Sequence, residues 1–405
     1  MRHLSIPVVF WLATSTGVAL AGDREPIVLS DEALDLHRSC LVFDGHNDLP
    51  WTLREKAESS FDKMDIAKSQ PDIHTDIARL REGGLGAEFW SVYVPVDSPD
   101  ATRETLEQID IVYQLAHRYP MDFELAFTAA DIERIHGEGR IASLIGMEGG
   151  HSIENSLGTL RMLYQLGARY MTLTHSDALD WADAATDDPR SDGLSEFGEE
   201  VVRAMNELGM LVDISHVSVA TMEDALRVSK APIIASHSCA DAIAHHPRNV
   251  PDHILEGVRA NRGVVMVNFA SGFLVPESAA IWIDAFDVWR AIRKAHEGDE
   301  EAQNAAWELW AAENPIDHGT IHDLLDHIDH IVKIAGVDHV GLGSDYDGIT
   351  ELPAQLEDVS SYPYITQGLL NRGYGEQDIR KILGLNALRA LREAERVAAE
   401  LTSGS

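Results

Sequence analysis

Cysteine is nearly missing from this chain: Cys40 and Cys239 are the only two among 405 residues. One disulfide is therefore the most it can form. Positive charge is also scarce, with 32 Lys+Arg against 67 Asp+Glu and a formal net charge of −35. Such a field repels phosphate backbones and anionic lipid, which argues against nucleic acid as a partner. The excess acid is spread along the chain without a long single-sign block and reads as a solvated surface. No apolar run reaches the roughly 20 residues needed to span a bilayer. The longest candidate is N-terminal. There Arg2 and His3 precede a mostly apolar Ile6 to Ala13, and Ala19-Leu20-Ala21 fits a small-x-small cleavage site. Residues 1–21 are thus expected to be a signal peptide and 22–405 one exported domain, periplasmic or secreted. Gly22 follows the expected cut, so no lipid anchor is expected there, and the polar tail Leu401 to Ser405 lacks the hydrophobic stretch of an anchor signal. Short repeats and low-complexity tracts are absent too.

What is present is an alternation of short β-rich apolar runs with amphipathic stretches, the pattern of parallel βαβ units. Strands are expected at Cys40–His46, Gly86–Val94, Ile141–Glu148, Arg169–His175, Met210–His216, Pro232–His237, Gly263–Phe269 and His339–Asp345. Helices are expected at Asp72–Glu82, Thr102–Tyr119, Leu157–Leu166, Glu196–Leu208, Val219–Ser229 and Ile321–Ala335. Eight such pairs with short connections predict an α/β fold, a closed (β/α)8 or TIM barrel. Leu274 to Asp317 interrupts the repeat. It reads as one or two helices inserted after the seventh strand, placed to overhang the barrel mouth, with Trp282, Trp289, Trp307 and Trp310 expected to pack the insert on the barrel wall. Asp378–Leu401 has helical periodicity and is expected on the exterior. Cys40 lies six residues before His46, roughly 20 Å at ~3.3 Å per residue. Cys239 follows a strand end placed beside His46, so two free thiols are expected.

The informative feature is how the strands end. The first reaches Asp44-Gly45-His46-Asn47-Asp48, the third ends in Glu148, the fourth in His175, the fifth in His216, the sixth in His237 and the eighth in Asp345. Six of eight apolar strands deliver a metal-ligand type at the same end, the end where barrel active sites are built. His46 and Asp48 are two apart, so an extended backbone points both to one face about 6.6 Å apart. Imidazole and carboxylate without thiolate suit zinc, with manganese or cobalt as substitutes. Three His and two carboxylates exceed what one catalytic zinc takes but suffice for two ions if a carboxylate bridges. None of the seven lysines lies at a strand end, which leaves Glu148 as the natural bridge.

These segments resemble the membrane (renal-type) dipeptidases, within the wider amidohydrolase-like metal-dependent hydrolase barrels. The matching runs are DGHNDLPW (44–51), GMEGGHSI (146–153), RYMTLTH (169–175), LVDISHVS (211–218), IIASHS (233–238), HPRNVPD (246–252) and GLGSDYDG (341–348). They follow the family's order and spacing from Asp44 to Leu391. The resemblance implies a zinc dipeptidase with two ions per subunit, His46 and Asp48 on one, His216 and His237 on the other, and Glu148 between them. It implies attack on the peptide carbonyl by a metal-bridging hydroxide, with His175 steadying the oxyanion, Asp345 handling the proton and Arg248 gripping the dipeptide's terminal carboxylate. Trp51 and Tyr93 match pocket-lining positions. The sequence departs from animal members in lacking their extra cysteines and anchor signal and in its 274–317 insert, which bears on substrate preference and not on the metals.

Two other readings compete. Phosphotriesterases, lactonases and deaminases of related barrels typically begin with His-x-His and many use a modified lysine; His46-Asn47-Asp48 and the lysine distribution argue against them. A non-catalytic exported metal-binding barrel would not need Asp345, which is surplus to five ligands. His322, His327 and His330 are expected on a solvated helix face, His245 and His246 in a loop near the mouth, and His151 behind a ligand, orienting it. Whether the chain forms a homodimer is left open.

Overall fold

Among the described residues, nine strands, all paired in parallel, make one sheet: β1 Val42–Asn47, β2 Leu85–Tyr93, β3 Phe123–Leu125, β4 Ile141–Glu148, β5 Ala168–Thr172, β6 Leu211–Asp213, β7 Ile234–Ala235, β8 Val264–Val267 and β9 Val340–Leu342. β2 pairs with both β1 and β4, which closes eight strands into a barrel and leaves the short β3 beside β4. The protein is seen in a computed structural model that describes residues 24–403; the expected signal peptide lies outside the described residues. The eight expected strands are the eight of the barrel. β3 went unforeseen because three residues carry no usable periodicity.

The barrel is filled, as its apolar strands require. Phe43 stacks on Phe89 at 5.3 Å, and Phe89 meets Tyr170 at 4.7 Å. Tyr170 fits there because position 146 is glycine: a Cβ would lie 2.2 Å from the phenol ring. Met266 similarly fills the space against Gly45, whose Cβ would come within 2.6 Å of its sulfur.

Around the barrel the helices follow their end signals. Glu196–Leu208 starts at Ser195, whose hydroxyl accepts the Gly198 N–H, and stops at Gly209 with φ of 80°. Ile321–Ala335 starts in a capping box of Thr320 and Asp323. The expected helix at 72–82 is shorter, Ile77–Glu82, because Asp76 caps the Arg79 N–H. Residues just before it instead brace the barrel mouth: the His74 N–H donates to Asp347 at 2.7 Å, and the Asn47 amide donates to Thr75 at 3.0 Å. The C-terminal stretch forms Glu376–Arg380, a wider turn at Lys381–Leu385 and the helix Asn386–Ser403, packed outside the barrel.

Three expectations are corrected. The insert holds three helices, Pro276–Trp282, Ala285–Ala295 and Glu300–Glu313. Its Trp282, Trp289 and Trp307 face the barrel-mouth cavity, so wall packing alone does not account for them. His327 is fully buried, accepting the Ala240 N–H and donating to the Leu274 carbonyl, because it lies on the apolar face of its helix with Leu324 and Ile331. Cys40 and Cys239 are buried free thiols, as expected. No helix among the described residues is long and apolar enough to cross a membrane.

Candidate metal centre

Ladder pairing stops before the functional side chains are reached. β5 ends at Thr172 and β6 at Asp213, each three residues short of its histidine, and β9 ends three residues before Asp345. His216 and Asp345 take left-handed backbone, φ of 67° and 66°, which turns the chain off the strand and over the mouth. Strain of this kind persists only where the surroundings enforce it. At Gly348 a Cβ would lie 2.2 Å from Asp48 Oδ2 and 2.7 Å from Asp345 Oδ1, so only glycine lets that loop close over both carboxylates.

The side chains converge. His46 Nε2 lies 3.2 Å from Asp48 Oδ2 and 3.4 Å from Glu148 Oε2. The other Glu148 oxygen, Oε1, lies 3.1 Å from His216 Nε2 and 3.5 Å from His237 Nε2. One carboxylate therefore presents an oxygen to each of two donor sets. His46, Asp48 and Asp345 offer ligand atoms all within 4.8 Å of one another, as do His46, Glu148 and His237, and Glu148, His175 and His216.

Partners behind the rings fix which nitrogen faces inward. Ser236 gives its hydroxyl proton to Asp213 at 2.7 Å, so the His237 Nδ1–H donates to Ser236 at 2.7 Å and leaves Nε2 as a lone pair. His46 Nδ1 is 2.7 Å from the Tyr170 hydroxyl, and its buried Nε2 has no hydrogen-bond partner. Burial drives His216 and His237 far below their ordinary pKa, so both are neutral. Burial opposes the charge on Glu148, but His46 and His175 hold its carboxyl well below the usual range. Neutral His216 and His237, the latter with an inward lone pair, beside an ionised carboxylate fit a divalent cation, and the orphaned buried Nε2 of His46 is the mark of a missing ligand.

The remaining candidates surround this set. The His175 ring stacks on His216 at 4.3 Å, and its Nε2 lies 3.6 Å from Glu148 Oε1. Asp345 accepts the Asn268 amide at 2.8 Å; burial, joined by the Asp48 and Glu148 charges, holds its carboxyl well above the usual range. Trp51 meets Tyr93 edge-on at 4.9 Å on the cavity wall. Arg248 is 1% exposed yet has no carboxylate within ion-pair distance among the described residues. Only two long bonds of 3.3 Å, to the Ser238 hydroxyl and the His237 carbonyl, hold its guanidinium, and Nε has no partner. His175, Asp345, Trp51, Tyr93 and Arg248 border one cavity of about 390 Å³.

His151 does not support a ligand as expected; it bonds the Val94 carbonyl at 2.9 Å. His246 lies in a loop near the mouth, as expected, buried there against Phe273, and burial pushes its pKa down to about 3. Sequence reasoning missed Tyr170, Asp213, Ser236 and Asn268. For the last three the available signal was a polar group at or just past the end of an otherwise apolar strand.

A closed parallel barrel with such a donor set at the carboxyl ends of its strands is the architecture of a metal-dependent hydrolase. The model of the membrane dipeptidases (peptidase family M19) matches residues 30–405, and the chain belongs to that family. It is a metallo-dipeptidase. The probable dipeptidase PvdM from Pseudomonas aeruginosa shares the fold at TM-score 0.78 and 24% identity, over 90% of this chain and 98% of that one. A metallo peptidase from Rhodobacter sphaeroides, solved with a phosphinate mimic of L-Ala-D-Ala, is similar at TM-score 0.70 and 26% identity over 88% and 99% of the chains. A metallopeptidase described as dipeptidase AC is 27% identical, with TM-score 0.69, over 88% and 98%.

Proposed function

We propose that this metallo-dipeptidase uses two zinc ions to hydrolyse free dipeptides. His46 and Asp48 would hold one ion and His216 and His237 the other, with Glu148 offering a carboxylate oxygen to each. Held there, the pair would supply Lewis-acid polarisation of the scissile carbonyl and lower the pKa of a shared water toward ~7. The observation that carries the substrate reading is Arg248: a buried guanidinium with no anion, bordering the same cavity as Glu148. A planar fork in that setting suits a free carboxylate, which the C-terminus of a dipeptide provides and an internal peptide bond does not. The dipeptide mimic bound by the Rhodobacter sphaeroides relative supports the same class.

His175 borders the cavity and donates to the oxygen that gains charge as the carbonyl turns tetrahedral, a contribution of about 2.7–4 kcal/mol for one such donor. Asp345, turned by Asn268, takes the attacking water's proton and returns it to the leaving amine. Trp51 and Tyr93 wall the cavity near His175, whose ring lies 4.7 Å from Tyr93. The leader pattern in residues 1–21 supports action outside the cytosol.

The test couples metal content to turnover. Purified protein should carry two equivalents of zinc, cleave Ala-Ala-type dipeptides but neither a phosphotriester nor a lactone, and lose activity to a chelator. Full activity after exhaustive chelation sinks the proposal.

A further inference from the structure

The insert adds a wall to the cavity that the metal chemistry does not require. Phe286 and Trp289 stand three apart on the helix Ala285–Ala295, on the face that meets the cavity; Trp282 precedes that helix, and Trp307 comes from the next. All four rings are only half-buried. A ring that merely packed an insert would be covered by protein, whereas these leave apolar surface open beside catalytic groups.

The helix is fastened at both ends. At one end the Trp282 ring meets Phe273 at 5.5 Å, and Phe286 lies 6.0 Å from His246 in the loop after β7. Toward the other, Arg293 pairs with Asp97 in the loop after β2. The wall is continuous with the carboxylate clamp, since the Arg248 guanidinium sits 5.3 Å from the Phe273 ring. A carboxylate on Arg248 belongs to the C-terminal residue, whose side chain leaves the adjacent carbon and meets these rings first.

We infer that Phe286 and Trp289 are specificity-determining residues, and that the enzyme selects dipeptides whose C-terminal residue bears a large apolar side chain, aromatic above all. This rests on the dipeptidase reading. Aromatic faces give such a side chain offset or edge-on contacts in addition to the surface it removes from water.

The experiment measures kcat/KM of the zinc-loaded protein on Ala-Ala, Ala-Leu, Ala-Phe and Phe-Ala. Ala-Phe should exceed Ala-Ala by roughly 10- to 100-fold, the range open to a hydrophobic pocket. Phe286→Ala and Trp289→Ala should each cut that ratio by several-fold. The ratio cancels any inactive fraction, so even a partly misfolded variant remains informative, and Phe286→Leu should keep much of the preference. A wild-type ratio near one, a ratio unchanged in both alanine variants, or Phe-Ala preferred to Ala-Phe overturns the inference while the dipeptidase reading stands. Failure to cleave any dipeptide removes both.

Discussion

His216 and His237 face each other Nε2 to Nε2 at 2.8 Å, and burial keeps both rings neutral. Bonding to Ser236 leaves His237 a lone pair at that atom. Two imidazoles brought this close in a dry site either share a proton or share a cation. Glu148 Oε1, 3.1 Å from His216, supplies the negative charge that favours the cation.

Tyr170→Phe should keep the fold and weaken the metal. The ring that fills the space over Gly146 is retained, while the hydroxyl 2.7 Å from His46 Nδ1 is lost. Loss of such a partner typically costs about 10- to 100-fold in metal affinity. Zinc competition against a chromophoric chelator checks this, and an unchanged dissociation constant contradicts it.

Asp345→Asn should hold its metals and lose turnover by about 10²–10⁴-fold, the usual worth of general acid–base catalysis. Metal analysis beside steady-state kinetics separates the two effects. Near-normal turnover removes the assigned proton role.

Arg248→Ala should reduce kcat/KM for dipeptides by roughly 100-fold or more, in line with the ~2–5 kcal/mol lost when one partner of a buried charge pair is removed. Dipeptide amides, which lack the carboxylate, should suffer much less. Equal losses on acids and amides refute the clamp.

Glu88 should make stability fall with rising pH. It is fully buried on β2, neither carboxylate oxygen has a hydrogen-bond partner, and burial with the nearby Asp44 charge holds its pKa well above the ordinary value. The folded protein therefore keeps a proton that the unfolded chain releases above about pH 4.3. That contribution is whole below the unfolded value and fades as pH climbs through the folded one. Between about pH 5 and pH 8, Glu88→Gln should show a smaller decline in urea-melt stability than wild type. Parallel declines would exclude Glu88 as the source.

The barrel was legible because its signal is periodic and repeated. Glu148, His216 and His237 end apolar runs, and runs of that kind have one reading when eight recur with helices between them. Tyr170 was not legible: a tyrosine inside an apolar strand reads as core, and only the missing side chain at Gly146 lets its hydroxyl reach His46. The tryptophans of the insert failed differently. Local sequence marks Trp289 as apolar and helical, but whether protein or empty space lies in front of it is decided by residues far off in the chain, such as Trp51 and Tyr93. His327 shows the converse, a histidine among aspartates that the apolar stripe of its own helix draws inward.

Asp213 laces the centre to the sheet. Its carboxylate accepts the Thr172 hydroxyl at 2.5 Å and, from the neighbouring strand's end, the Ser236 backbone N–H at 2.8 Å and hydroxyl at 2.7 Å. A single acid thereby cross-ties three adjacent staves at the rim where His216 and His237 depart. The His237 ring, held through Ser236, is set in place when the barrel itself forms, not when a cation arrives. Heating should consequently release the ions and dissolve the sheet together, as one cooperative event.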